Sequence, residues 1–335
     1  MNDVTTPHAQ MPADPATWTL THENGARLRV AARGATLLSW EVPEDSGFAD
    51  LLDGYRTVEE LETYNGYRNA VLAPWSNRIT DARYRYGDEV HDVEPGQAGA
   101  RDGLHGLVTD ATFDADAAPG ETGPSLTLRT AITPQRNPGY PFTVDVAVTY
   151  TLVAGPDGEH ALTFEMTGTN ASEQDAPIGL GWHPYFRLPG HERIDELHLT
   201  IPARTRVLTD EGIIPLPGDA AFEPVDPPGA VGLSPIGQTV LDQAFTDLVP
   251  DPDGNIASVL SSPRTGARLT LWQRVDEARI VHVFTGDTLD RDRRASAAVE
   301  PCSFGADALN RQLEDMLVPP GGTRHLRADV VYQRG

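Results

Sequence analysis

No lysine occurs anywhere in the 335 residues, so all 26 basic side chains are arginine. That absence excludes Schiff-base chemistry, a phosphate-loop lysine and a lysine general base together. Cysteine is nearly absent as well: Cys302 stands alone, which rules out an internal disulfide and a multi-thiolate zinc site and fits a reducing compartment. Positive charge is scarce against 49 Asp and Glu, and the formal net charge is -23. Phosphate backbones and anionic membranes are repelled at long range, so neither nucleic acid nor a membrane is an expected partner. No apolar run approaches the roughly 20 residues of a membrane-spanning helix, and the N-terminal stretch has neither the basic nor the apolar part of a signal peptide. The expectation is a cytoplasmic protein, monomer or homodimer.

What is present is mostly period-two alternation. Residues 1–17, rich in Pro, Thr, Ala and Asp and without periodicity, read as a disordered leader. Beyond them Leu28 and Val30 alternate with arginines, and Val144, Val146, Val148 and Tyr150 alternate with polar residues. The run from Val144 to Thr169 breaks at Gly155-Pro156-Asp157-Gly158, which predicts a long hairpin. Further strands are expected over Tyr84 to Val93, Ser125 to Ile132, Glu196 to Ile201, Arg268 to Gln273, Arg279 to Thr285 and Leu326 to Tyr332. Helical periodicity is confined to Val58–Tyr64 and Asp307–Asp315. The 28 Pro and 31 Gly are spread through the chain rather than gathered in a linker, so 18–335 is expected to be one all-β domain, a large antiparallel sandwich. Neither a Gly-rich dinucleotide fingerprint nor a phosphate loop occurs, and no cofactor or metal is expected.

Five segments stand out chemically. In Pro177-Ile178-Gly179-Leu180-Gly181-Trp182-His183-Pro184-Tyr185-Phe186, an extended backbone puts Ile178, Leu180 and Trp182 on one face and Gly179, Gly181 and His183 on the other. Side-chain-free positions beside an imidazole suit close approach of a ligand, though a core histidine gives the same pattern. In Ala297-Ala298-Val299-Glu300-Pro301 a carboxylate closes an apolar stretch, expected at a strand end, where burial raises its pKa towards that of a general base; an exposed strand-end Glu is the alternative. Trp75-Ser76-Asn77-Arg78-Ile79 brings together a ring, an amide and a guanidinium, which suit a polyhydroxylated ligand or a structural loop. His105 between glycines and Asp242 between apolar residues fit either a site or a turn.

Taken in order, these segments resemble the aldose 1-epimerase (galactose mutarotase) family: Asn77-Arg78-Ile79, His105-Gly106, His183 with Tyr185 and Phe186, Asp242 before Phe245, Glu300-Pro301, and the closing Leu317-Val318-Pro319-Pro320-Gly321. The resemblance implies an antiparallel β supersandwich and a cofactor-free mutarotase that interconverts α and β anomers of a hexose. It makes Glu300 the catalytic base and His183 the acid, with Asn77, Arg78, His105, Tyr185 and Asp242 holding the sugar. Two positions depart from the commonest pattern: Pro184 stands where Ser or Thr is usual, and His282 where Gln is usual. Both bear on which monosaccharide is bound.

Ring opening takes the proton from O1 and gives one to O5, and closure on the other carbonyl face reverses both transfers. Carboxylate Glu300 facing O1 and imidazolium His183 facing O5 supply them, with Arg78 and His105 stabilising charge near the ring oxygen and Asp242 fixing the pose. Other readings of the same residues are a non-catalytic sugar-binding protein, a phosphosugar epimerase, metal-assisted hydrolysis through His105, His183 and Glu300, and glycoside hydrolysis by Asp242 and Glu300.

Overall fold

The structure, a computed structural model, describes residues 16–45, 47–93, 103–116, 120–122, 124–155 and 159–335. Two large antiparallel sheets carry most of it. The nine-stranded sheet centres on the hairpin Val144–Ala154 and His160–Asn170, flanked by Ser125–Ile132 and Thr323–Gln333 and continued through Arg268–Arg274 and Asn255–Ser261. The hairpin is held by an eleven-residue register from Val144 opposite Asn170 to Ala154 opposite His160; the central residues of its turn, 156–158, lie outside the described residues. The alternation that predicts it is the alternation it shows: Val144, Val146, Val148, Tyr150 and Leu152 are buried and their neighbours are not. At roughly 1.5–3 kcal/mol per buried large apolar side chain, that face suffices to fix the register.

The second large sheet runs Phe222–Pro224, Ala203–Val207, Asp242–Leu248, Ile280–Phe284, Ala297–Cys302, Gly181–His183, Ala70–Leu72, with Tyr185–Phe186 also pairing to Ala297–Cys302. Its inner face meets the nine-stranded sheet: Trp182 stacks on Phe164 with ring centroids 4.6 Å apart and planes 13° apart, inside one core cluster that draws on both sheets. A smaller five-stranded sheet, including Thr17–Thr21, Arg27–Ala31 and Leu37–Glu44, packs into that same cluster. The all-β supersandwich is therefore the fold.

Several boundaries differ from expectation. Residues 1–15 of the expected leader lie outside the described residues, but Thr17 already opens a strand, paired with Ala31. Tyr84 to Val93 is two strands, Arg83–Tyr86 and Glu89–Asp92, folded around Gly87 at φ 57°. Glu196 ends a single 3-10 turn and the strand starts at His198. Asp307–Asp315 is split into Ala308–Arg311 and Leu313–Met316 at Gln312, whose φ of -138° is not helical.

Glu300 also departs from its expected place. It lies inside the fully buried strand Ala297–Cys302, not at its end. Proline is tolerated next to it because the strand changes partner there, from Gly181 opposite Cys302 to Tyr185 opposite Ala298. Val299 N–H donates to Pro184 O at 3.2 Å, and strand alternation turns position 301 to that same side, where the ladder is interrupted.

Candidate active site

The outer face of the eight-stranded sheet holds a cavity of about 190 Å³. All eight residues singled out from the sequence line it: Asn77, Arg78, His105, His183, Tyr185, Asp242, His282 and Glu300. They arrive from separate strands and loops. Glu300 and His282 are direct cross-strand partners, and Asp242 faces Phe284 one strand further. His183 comes from the short strand beside Ala297–Cys302, and its register is set by Trp182 on the opposite face.

Asn77 and His105 lock each other. His105 N–H donates to Asn77 O at 2.9 Å, and Asn77 N–H donates to His105 Nδ1 at 3.2 Å. Both residues adopt left-handed backbone, φ 58° and 62°, a strain of the kind concentrated at functional sites. Because Nδ1 accepts, the proton of neutral His105 sits on Nε2. Burial, reinforced by His183, Arg78 and His282, holds its pKa well below the usual value, so it serves as a neutral donor.

His183 Nε2 lies 3.3 Å from Glu300 Oε1, with both side chains almost fully buried. Glu300 Oε1 has no hydrogen-bond partner, so the approach is a close contact and not a hydrogen bond. Burial pushes the Glu300 carboxyl up to about 8, against the opposing effect of His282. Burial, with His282 adding to it, pushes His183 down to about 3. Desolvation disfavours both charges, so it raises the proton affinity of the carboxyl and lowers that of the imidazole. Burial alone lowers the His282 pKa, but Glu300 and Asp242 outweigh that and raise it. It engages Asp242 Oδ1 through Nε2 at 2.8 Å. Burial would raise the Asp242 carboxyl, yet His282 overrides this and holds it low.

Tyr185 lines the pocket and is held from behind. Its O–H donates to Gly66 O at 2.6 Å, and its ring stacks beneath His183 with centroids 5.0 Å apart and planes 13° apart. The two glycines do not open space for a ligand. A Cβ on Gly179 would meet Met316, Phe304 and the Pro74 carbonyl, and one on Gly181 would meet Ser76, Cys302 and Leu72. Their small size serves packing against the chain itself. Cys302 is a buried thiol whose pKa burial raises far above the usual range.

Sequence reasoning missed Asn65, Gly66, Tyr67, Leu104, Phe284, Thr288 and Leu289, which complete the lining. Tyr67 packs on His105 with centroids 4.5 Å apart. The available signal was Asn65-Gly66, a turn dipeptide flanked by tyrosines; around it Tyr64, Gly66, Tyr67 and Asn69 adopt left-handed backbone. Also missed was the support beneath Tyr185. Arg68 and Asp53 form a buried ion pair, with Arg291 donating to Asp53 Oδ1 at 3.0 Å and Ser296 to Oδ2 at 3.0 Å. Asp53 N–H donates to Tyr185 O at 3.0 Å, and the Arg68 guanidinium lies 5.5 Å from the Tyr185 ring centre.

Among the described residues, no three or more His, Cys, Asp or Glu side chains group as metal ligands would, and no helix is long and apolar enough to cross a membrane.

A sheet-borne pocket with a buried carboxyl beside an imidazole, ringed by amide, imidazole and guanidinium groups, has the residue types that proton transfer on a polyhydroxylated molecule requires. The aldose 1-epimerase family model matches residues 16–327, and the chain belongs to that family, whose members are isomerases acting on monosaccharides. It is 30% identical over 176 residues to an aldose 1-epimerase of Haemophilus influenzae, covering 52% of this chain and 48% of that protein. It is 29% identical over 196 residues to the galactose mutarotase of Homo sapiens, covering 56% and 53%; these two matches span about half the length of each relative. Uncharacterized protein YihR of Escherichia coli is 27% identical over 273 residues, 79% of each chain. In fold the chain is similar to the GalM/aldose epimerase homologue from C. elegans, with a TM-score of 0.79 at 18% identity over 95% of this chain and 99% of that one.

Proposed function

We propose that this pocket opens and recloses the ring of a neutral aldohexose, interconverting its α and β anomers, with Glu300 and His183 as the two proton carriers. The observation that supports this most directly is the placement of a buried carboxyl and a buried imidazole side by side in a pocket lined by amide, imidazole and guanidinium groups. A pair with one transferable proton and one vacant base site, 3.3 Å apart, can give a proton to one sugar oxygen while taking one from another. With Glu300 as the resting acid and His183 as the resting base, each direction of the reaction exchanges their tasks at closure. Proton transfer between the two, once sugar hydroxyls solvate the pair, gives the carboxylate and imidazolium roles that the family resemblance implies.

His105 Nε2–H and the Arg78 guanidinium supply donors for negative charge developing on the ring oxygen. Asn77 Oδ1, buried without a hydrogen-bond partner, and the Asp242–His282 couple orient hydroxyls away from the reacting carbon. The strongly acidic composition, net charge -23, supports a neutral rather than an anionic sugar.

Polarimetry of freshly dissolved α-glucose and α-galactose in dilute buffer tests the reading. Acceleration by the protein that Glu300→Gln abolishes is the expected result; equal rates with and without protein for both sugars, or full acceleration by the variant, reject it.

A further inference from the structure

One wall of the catalytic pocket is made by two segments far apart in sequence: the turn 64–69, which follows the helix Val58–Thr63, and the loop 287–294. They meet at the rim. Leu289 packs with Tyr185 and Ala298 and leaves no room for a Cβ on Gly66, and Asp290 N–H donates to Asn65 Oδ1 at 3.4 Å. One apolar side chain and one long hydrogen bond at an exposed position are a weak join.

The loop that carries Leu289 is densely charged, Asp287-Thr288-Leu289-Asp290-Arg291-Asp292-Arg293-Arg294, yet its arginines are spent on the chain itself. Arg294 ties the two ends of the loop together through Asp287 at 2.9 Å and anchors them to Asp195 at 2.8 Å. Arg293 donates back to Leu289 O at 2.8 Å. Arg291 is the one of the three that reaches the segments on the other side of the join. A guanidinium has five N–H donors, and here all five are taken. Nε and Nη2 grip Glu60 Oε1 and Oε2 at 2.8 and 3.0 Å, and Nη2 also donates to Gly54 O at 2.7 Å. Nη1 donates to Asp53 Oδ1 at 3.0 Å and Asp292 Oδ2 at 2.9 Å, and Arg68 Nη2 donates in turn to Arg291 O at 3.0 Å. A bidentate grip on a helix carboxylate together with a backbone carbonyl fixes position as well as charge. The Arg291 side chain is only 22% exposed, so solvent screens the grip far less than it screens a surface pair.

We propose that Arg291 is a positioning residue for the sugar: by fastening the loop 287–294 to Glu60, Gly54 and Asp53, it holds Leu289 against Gly66 and fixes the wall that the two segments present to the ring. The inference rests on the mutarotase reading for what the wall contacts; the fastening itself has a readout that needs no sugar. Glu300 and His183 stand on paired strands of the sheet, and Asp53 keeps Arg68 and Ser296 when Arg291 is removed. A wall that meets ground state and transition state alike acts on KM and leaves kcat in place.

The test compares Arg291→Gln and Arg291→Lys with the wild type and with Arg56→Gln, which removes only a largely exposed pair to Asp292. In polarimetry with glucose and galactose, Arg291→Gln is expected to raise KM about tenfold with kcat within about threefold, and Arg56→Gln to change neither. Arg291→Lys is expected to restore little, because an ammonium offers three donors in place of the fork. Glu60→Gln cuts the helix arm and leaves Asp53 paired; it reads the same rise in KM in a milder variant and should add little on top of Arg291→Gln. Hydrogen exchange on the sugar-free protein is expected to show 64–69 and 287–292 losing protection together in Arg291→Gln while Ala297–Cys302 keeps its own. KM within about twofold of wild type in both Arg291 variants, a fall confined to kcat, or protection lost evenly across the sheets overturns the proposal. Absence of turnover of either sugar by the wild type instead rejects the mutarotase reading, and the exchange pattern still decides whether Arg291 fastens the two segments.

Discussion

His183 and Glu300 approach within 3.3 Å while burial raises the proton affinity of the carboxyl and lowers that of the imidazole, an inversion of their usual order. Both charges are disfavoured by the same dry pocket, and the inversion follows from desolvation rather than from any single neighbour.

Removing one carrier should reveal its share of the chemistry. Glu300→Gln keeps shape and hydrogen bonding but cannot transfer a proton, and kcat for mutarotation should fall by about 10²–10⁴-fold with little change in KM. Polarimetric progress curves over a range of sugar concentration separate the two constants.

The alkaline limb of the pH profile belongs to Glu300. With its pKa at about 8 and that of His183 at about 3, the pair keeps one proton between those values. Above the upper value no acid remains, so kcat/KM should decline by about tenfold per pH unit beyond it; below the lower value no base remains. A profile flat through pH 9.5 would count against the assignment.

The same shift has a stability consequence of opposite sign to an ordinary salt-bridged carboxylate. A carboxyl whose folded pKa is raised contributes stability that is complete below the unfolded value and lost as pH rises through the folded one. The melting temperature of Glu300→Gln relative to the wild type should therefore rise between pH 5 and pH 8.5, by about 3 °C or more, as read by calorimetric scans at both values.

Asp53→Ala would leave the buried Arg68 guanidinium without its carboxylate and loosen the floor under Tyr185. A loss of about 3–5 kcal/mol in unfolding free energy is expected, measured by denaturant titration, together with a drop in kcat because Tyr185 carries the His183 ring. Unchanged stability would show that Arg68 finds another partner.

Gly181→Ala distinguishes packing from ligand approach. Its Cβ would lie 3.0 Å from Ser76 Cβ and 3.1 Å from Cys302 Sγ, so a loss of about 1–3 kcal/mol in stability is expected with KM for the sugar nearly unchanged. A raised KM at unchanged stability would return this glycine to the binding surface.

The sequence reveals most where one physical signal dominates. Ser125–Ile132 coincides with its expectation residue for residue, because alternation over eight positions and a buried face agree. Gly181–His183 and Arg78–Ile79 are too short to show a period, and only their chemical oddity marks them. Glu300 is misplaced by the strand-end argument because Pro301 reads as a terminator; the partner switch that accommodates it is a tertiary fact. The Asn65–Tyr67 wall and the Asp53–Arg68 pair were illegible for the same reason: nothing local distinguishes a buried ion pair from a solvated one, since the partners are 15 residues apart and meet only after the sheets close.

Trp182 and His183 are consecutive, one clamped on Phe164 in the interior and the other turned outward into the pocket. A strand of three residues has too few ladder bonds to hold its own register, and a slip by one would exchange the two faces. The aim of the imidazole is thus inherited from an aromatic stack it never touches. Enlarging or shrinking Phe164 would show in turnover before it showed in sugar affinity, which makes a residue deep between the sheets a tuning point for proton transfer at the surface of one of them.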